Sequence, residues 1–456
     1  MSRRFRRVAA ASLSLALVAA ACGNSGGDSD DEGAATTGGS DVEVADGTER
    51  DAFMEITGVP GVDDDEIRFS SITTISNNPL GTNIGGAYNA GINAYFDYRN
   101  DEGGIYGRDM VLANERDDEL SSNDREAQAV VSEDDAFGAF VATLLFSGAD
   151  ILGESGIPTF GWNIDAEWGG KENLFGHIAP FCSGCTGRIL PYMAGELGAT
   201  TVGIVGYGTT EVSKVCADSQ RSSFELFGDE VGGVEVGFFD NNLPFGLPNG
   251  LAPEVSAMKD AGVDFITTCM DLNGMKTLGD EMAAQQLDAT LYHPNSYNRD
   301  FIAENADIFE GDIVVPQFLA FEAPGDIPLR EAYFDNIPDD LKAEELAMTG
   351  WLNAHEAFTG LLAAGPDFDQ AKVVAALRST EDYTADGLTN SIDWNRQIDS
   401  PTIDTPEIDY KQECFNGVQV QDGEFVPWSG NDDAPWVCFD MPRDEWVEPD
   451  FNNYAE

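Results

Sequence analysis

Residues 202–212, VGIVGYGTTEV, could cradle a nucleotide phosphate, because Gly206 and Gly208 follow an apolar run as they do in a dinucleotide-binding turn. The third glycine of that pattern is replaced by Glu211, whose carboxylate would repel a pyrophosphate at the start of a helix. The acid after the next apolar run, Asp240, also lies further along the chain than the usual ~20 residues. The sequence therefore disfavours a nicotinamide-dependent dehydrogenase.

Cysteine and histidine are the other residues that could act as ligands or nucleophiles. CSGC at 182–185 could be half a zinc site or a redox pair, but the sequence has no second C-x-x-C. The three histidines, His177, His293 and His355, are scattered, and none stands near a plausible serine nucleophile. No metal site, cofactor or hydrolase is predicted.

Structural disulfides are the preferred role for most of the seven cysteines. With Cys22 set aside, an even number remains, as is typical of an exported chain. Several connectivities are open. We expect Cys182 to pair with Cys185, Cys216 with Cys269, and Cys414 with Cys438.

Three glycines in NDEGGIYGRDMVL, residues 100–112, raise the question of a second phosphate site. A phosphate cradle runs from strand to glycine loop to helix. Here the order is reversed, since an amphipathic helix precedes the glycines and an apolar strand follows them. We expect a structural corner, in which Gly103 and Gly104 allow a left-handed exit from the helix.

Charge excludes one class of partner. The chain has 82 acidic and 24 basic residues and a net charge of −58. Nucleic acid needs a basic surface, so we exclude it. The acidic excess is better suited to a hydrated surface, for example in a salty habitat where self-repulsion is screened.

The N-terminus predicts export. Residues 1–21 combine four arginines with an apolar stretch too short to span a bilayer, as in a signal peptide. Ala19, Ala20 and Ala21 precede Cys22 as in a bacterial lipobox, so we expect lipidation of Cys22; an ordinary A-x-A cleavage site is the alternative. Whether export uses the general or the twin-arginine route is left open. Residues 22–62 are rich in Gly, Ser and Asp and predict a flexible acidic linker.

Strand and helix patterns alternate through the rest of the chain. Residues 66–74 read as a strand, and the next segment places Ile84, Tyr88 and Ile92 on one helical face. A further helix is predicted to start at a Ser122–Asn123 cap. A second alternating series begins near residue 186, a long amphipathic helix covers 345–365, and Asp422–Gly423 predicts a hairpin. The fold class is α/β, with two doubly wound parallel-sheet lobes joined by a hinge and a ligand cleft between them.

The order of these elements resembles that of the branched-chain amino-acid-type solute-binding proteins of ABC transporters, which have the type I periplasmic binding fold. The resemblance is carried by GAYNAGINAYFDYRNDEGGIYGRDMVLANERDDELSSNDREAQAV, SGIPTFGW, LFGHIAPF, VGIVGYG, AGVDFITTC and GWLNAHEAFTGLLAAG, over about residues 65–395. It implies an N-terminal lobe of 63–181 plus about 325–385, and a C-terminal lobe of 182–324 plus about 386–400. We expect residues 401–456, which the resemblance does not cover, to form a disulfide-closed C-terminal extension.

The resemblance implies a protein that captures a small polar solute by lobe closure and delivers it to the permease of an ABC importer. It would act outside the cytoplasm, anchored to the membrane by lipid, as a monomer without enzymatic activity. Amino-acid binders of the family tend to carry an acid where this chain reads HPNSYN, so either Asp271 replaces it or the ligand is an amide, urea or carboxylate. A ligand-sensing lipoprotein is the alternative function. The implied ligand contacts are Thr143, Ser147, Trp162, Asn163, Tyr207, Asp271 and Asn295.

Overall fold

The first sheet is built from the alternating strands and helices of residues 66–176. The computed structural model describes residues 52–80, 82–178, 185–209, 211–396, 398, 412–441 and 443–454. All five strands are parallel, in the order β2-β1-β3-β4-β5. The strands are β1 (Glu66–Thr73), β2 (Asp109–Asp117), β3 (Gly138–Ala142), β4 (Thr159–Gly161) and β5 (Leu174–Gly176), and the helices are α1 (Gly85–Asp101), α2 (Asn123–Glu133) and α3 (Ala149–Ser155).

The second sheet repeats this plan. Its central strands are parallel and alternate with helices. The helices are α4 (Ile189–Glu196), α5 (Glu211–Phe227), α6 (Ala252–Ala261), α7 (Leu272–Gln285), α8 (Arg299–Glu304) and α9 (Ala306–Phe309), and the strands are β6 (Thr201–Tyr207), β7 (Glu235–Leu243), β8 (Phe265–Cys269), β9 (Thr290–His293) and β10 (Ile313–Val314).

The chain then returns to the first lobe with α10 (Pro328–Asn336), α11 (Glu345–Ala364) and α12 (Gln370–Arg378). Helix α11 packs closely on α1 because each helix has a glycine at the contact. A methyl group added to Gly91 would overlap the carbonyl oxygen of Ala347, and one added to Gly350 would overlap that of Tyr88. The Tyr88 hydroxyl also donates to Asn353 Oδ1 at 2.8 Å.

The last described segment completes the second sheet and adds a small one. Strands β12 and β13 form the hairpin predicted at Asp422–Gly423, and β12 pairs antiparallel with β10 at the sheet edge. The small antiparallel sheet has the order β11-β14-β15. The strands of this segment are β11 (Gln412–Phe415), β12 (Val418–Gln421), β13 (Glu424–Pro427), β14 (Trp436–Asp440) and β15 (Asp450–Asn452).

Two of the expected disulfides are present. Cys216–Cys269 joins α5 to the end of β8, and Cys414–Cys438 joins β11 to β14. Cys185 is also disulfide-bonded. Cys22 and Cys182 lie outside the described residues, as do the predicted signal peptide and most of the linker.

The helical faces predicted from periodicity are buried, including Ile84, Tyr88 and Ile92 on α1. Helix α2 begins at Asn123 with Ser122 at the N-cap position, as predicted, but the Ser122 side chain makes no capping hydrogen bond. Asn123 instead accepts the backbone N–H of Gly148 at 2.8 Å, a partner that only the tertiary fold brings close.

The glycine corner at 103–107 connects α1 to β2, as predicted. Gly104 has φ of +66° and donates its N–H to Arg99 O at 2.9 Å, which ends the helix. Arg108, which follows the corner, is buried and donates to the carbonyl oxygens of Asp63 and Met54. The corner therefore fastens residues 54–63 to the amino end of the first sheet.

Candidate functional site

The carboxyl ends of the parallel strands form one edge of each sheet, which is where open α/β folds bind ligands. In the first lobe the loops after β1 and β3 meet there, since Leu144 N donates to Thr74 Oγ1 at 3.3 Å. Ile75 N donates to Asp117 Oδ1 at 3.1 Å and joins the end of β2 to the same edge.

Thr143 and Ser147 follow β3, as predicted, but their surroundings differ. Thr143 is 3% exposed, and its hydroxyl has no hydrogen-bond partner among the described atoms. Ser147 is exposed and precedes Gly148, the N-cap residue of α3. Of these two residues, Thr143 is therefore the better candidate for a hydrogen bond to a ligand.

Trp162 and Asn163 follow β4 and contact the segments that connect the lobes. The indole N–H of Trp162 donates to Gln317 Oε1 at 2.9 Å, and Gln317 lies just after β10. The Asn163 amide donates to Ile178 O at 2.8 Å and accepts Ile178 N–H at 3.4 Å. Both side chains thus have structural partners in the segments that follow β10 and β5.

Tyr207 and Asp271 lie together at the edge of the second sheet. Asp271 is the N-cap residue of α7, and its Oδ1 accepts the Gly274 N–H at 2.8 Å. Its Oδ2 accepts the Tyr207 hydroxyl at 3.3 Å. Burial raises the pKa of Asp271 above its usual range, although the hydrogen bonds oppose that rise. A carboxyl group with these bonds has acceptor capacity left for one further donor.

Asn295 completes the predicted set from the loop after β9. Its amide donates to Met270 O at 3.1 Å, so the loops after β8 and β9 are joined beside Asp271. The structure thus brings Tyr207, Asp271 and Asn295 to one strand-end edge, and Thr143, Ser147, Trp162 and Asn163 to the other. Whether they touch a ligand stays a prediction.

Three further polar residues at these edges were not predicted from the sequence. Ser213 Oγ accepts the Tyr207 N–H at 2.7 Å and donates to Cys269 O at 2.6 Å, so it joins β6, α5 and β8. Ser296, after β9, is fully buried and its hydroxyl has no partner among the described atoms. The third is Gln317. Ser213 could have been predicted from the sequence, because it is a polar residue in the first turn of the helix that follows β6. No local sequence pattern identifies Gln317.

A cavity of about 380 Å³ lies between α4, α5 and the sheet β11-β14-β15. Its lining includes Val315, Pro316 and Gln317 from the connection after β10, and Glu413 and Arg443 from the C-terminal segment. Its lining also includes Ile178 and Cys185; the residues between them in sequence lie outside the described part of the chain. We place the candidate site at the strand-end edges, where the unpartnered hydroxyls of Thr143 and Ser296 are.

Within the described residues, no cluster of three or more histidine, cysteine or acidic side chains could hold a metal ion. No helix in the same part of the chain is long and apolar enough to cross a membrane.

A family profile described as periplasmic binding protein matches residues 67–405. The chain belongs to this family. No curated protein sequence matches it significantly.

Many solved structures share the fold, and three illustrate the range of ligands. A branched-chain amino acid ABC transporter protein from Thermus thermophilus with bound valine has 15% identity and a TM-score of 0.62, over 86% of this chain and 98% of its own. A fatty acid ABC transporter substrate-binding protein from Thermomonospora curvata has 15% identity and a TM-score of 0.59, over 88% and 97%. A solute-binding protein from R. palustris in complex with benzoate has 16% identity and a TM-score of 0.58, over 79% and 95%. At these identities the similarity establishes the fold of this periplasmic binding protein.

Proposed function

We propose that this periplasmic binding protein captures a small solute between its two strand-end edges and delivers it to an ABC importer, without catalysing a reaction. The structural relatives that bind valine and benzoate support this proposal. The chain would act outside the cytoplasm as a monomer, held to the membrane by a lipid on Cys22.

The observation that carries the proposal is a pair of buried hydroxyls without partners, one on each lobe. Thr143 follows β3 and Ser296 follows β9, and neither hydroxyl has a partner among the described atoms. A buried polar group without a hydrogen bond costs free energy, so a solute that supplies the missing partners is stabilised at this position.

A thermal-shift screen tests the function. The mature chain is mixed with amino acids, amides, ureas, polyamines and organic acids at millimolar concentration. A solute that binds only the folded state stabilises it by RT ln(1 + [L]/Kd), about 2.7 kcal/mol at one hundred times Kd. A rise in melting temperature with one chemical class is expected, and no shift with any of them would refute the proposal.

Thr143→Val separates binding from folding. Because the hydroxyl has no partner in the ligand-free chain, valine should leave the melting temperature unchanged or raise it, while ligand affinity falls about fivefold to tenfold. Thr389→Val is the matched control, since Thr389 is also fully buried with an unpartnered hydroxyl but does not follow a strand. Equal losses of affinity in both variants would contradict the role of Thr143.

The anchor is tested separately. Cys22→Ser should release the protein from membranes into the soluble fraction while the thermal shift with a ligand is retained. Retention of the variant on membranes would refute lipidation at Cys22 without affecting the binding function.

A further inference from the structure

Exposed aliphatic side chains stand at the strand ends of both lobes. Ile75 follows β1, Leu145 follows β3, and Val212 lies at the start of α5 after β6. They are 47%, 52% and 44% exposed, so each could be covered by an apolar part of a ligand. On the second lobe the partly buried ring of Phe245 lies 5.0 Å from the buried ring of Tyr207.

The charged groups at the same edges are mainly carboxylates. Asp117 accepts the N–H groups of Ile75 and Ser76 at 3.1 Å on the first lobe. Asp271 lies beside Tyr207 on the second lobe. A negatively charged ligand head would therefore meet like charge on both sides of the cleft.

Most basic side chains near these edges already have acidic partners. Arg116 is paired with Glu126 and Glu133. Lys276 is 2.8 Å from Asp280, and Arg299 is 2.7 Å from Glu322. Lys214, in the first turn of α5, makes no ion pair with a described residue, so it is the group that could receive an anion and must be tested.

We propose that the cleft selects a solute with an aliphatic body and a head group that carries no negative charge, in preference to the matching carboxylate. This inference rests on the proposed solute-binding function. The aliphatic body would cover Ile75, Leu145 and Val212 when the lobes close, while the head would donate hydrogen bonds to the strand-end oxygens.

Three probes with one carbon skeleton test the choice of head group: 3-methylbutanamide, 3-methylbutylamine and 3-methylbutanoate. Calorimetric titration of the full mature chain should give Kd values for the amide or the amine at least about tenfold lower than for the carboxylate. Tightest binding of the carboxylate would overturn the inference while the solute-binding function stands. If the wider screen identifies a ligand but none of the three probes binds, the inference that the ligand has an aliphatic body is wrong. No binding of any solute would overturn the proposed function as well.

Leu145→Asn tests the apolar contact against a matched leucine. The variant should weaken binding of the amide about tenfold or more, which is the usual range for a lost apolar contact in a pocket. Leu226→Asn is the control, because Leu226 is 46% exposed but lies near the far end of α5. Similar affinities of the two variants would overturn the role of Leu145.

Two charge variants complete the test. Asp271→Asn keeps a residue that can cap α7 and should weaken the amine at least about tenfold, and by a larger factor than the amide, because only the amine loses an opposite charge. Lys214→Gln should leave the affinities of the amide and the amine unchanged. A carboxylate ligand whose binding is lost in Lys214→Gln would overturn the inference.

Discussion

Removal of the Cys216–Cys269 disulfide should both destabilise the fold and loosen the second half of the candidate site. The two cysteines are 53 residues apart in sequence, and the chain-entropy estimate for a loop of that length is about 4 kcal/mol. Because Cys269 ends β8 and its carbonyl oxygen accepts the Ser213 hydroxyl, the disulfide also holds the backbone that leads to Asp271. Cys216→Ser/Cys269→Ser should therefore lose about 4 kcal/mol in guanidinium unfolding and show faster amide exchange at residues 270–273.

The second disulfide provides the control. Cys414 and Cys438 are 24 residues apart, for which the same estimate is about 3.5 kcal/mol. Cys414→Ser/Cys438→Ser should therefore be nearly as unstable, yet its amide exchange at residues 270–273 should match that of the wild type once global unfolding is subtracted. If the amides of residues 270–273 exchange equally fast in both variants, the loosening is global and the Cys216–Cys269 disulfide does not specifically hold the backbone near Asp271.

Three further predictions follow from charge, burial and packing. With a net charge of −58, the melting temperature should rise as KCl is increased to about 1 M, where the screening length falls to about 3 Å; a melting temperature independent of salt would contradict this. Burial lowers the pKa of His177 to about 3, below its unfolded value, so the unfolded chain binds the proton more tightly and stability should fall as pH is lowered from about 6.5 to 3. His177→Gln should reduce that slope in urea unfolding at stepwise pH, and an unchanged slope would assign it to other groups. Gly91→Ala should cost about 1–3 kcal/mol in urea unfolding, because its methyl group overlaps Ala347 O; a loss below about 0.5 kcal/mol would show that α1 and α11 separate easily.

Elements with a strong hydrophobic period could be predicted from the sequence. The face of α1 that includes Tyr88 and Ile92 and the face of α11 that includes Trp351 and Phe358 are buried as expected. In each helix the spacing of the apolar residues is enough to predict the buried face, because this pattern does not depend on contacts with distant parts of the chain.

The details of the site were less predictable, because they depend on residues that are distant in sequence. Asn163 resembles a ligand contact in its loop, but its amide is satisfied by the backbone of Ile178. Ser122 has the residue type of a cap, while Asn123 instead bonds to Gly148, which is 25 positions away. Asp271 was expected to serve a ligand, and it also caps α7. Residue type and local spacing do not distinguish these roles.

The contact between α1 and α11 also bears on when the protein can fold. Tyr88 and Asn353, which are hydrogen-bonded across these helices, are 265 residues apart in the chain. The first lobe therefore cannot be completed until most of the chain has been synthesised. The second sheet is completed later still, because it includes the β12–β13 hairpin. Contacts of such long range slow folding and prolong the exposure of apolar strands. We expect both lobes to be completed late and close together in time, so that a chain truncated before α11 would aggregate rather than form an isolated first lobe.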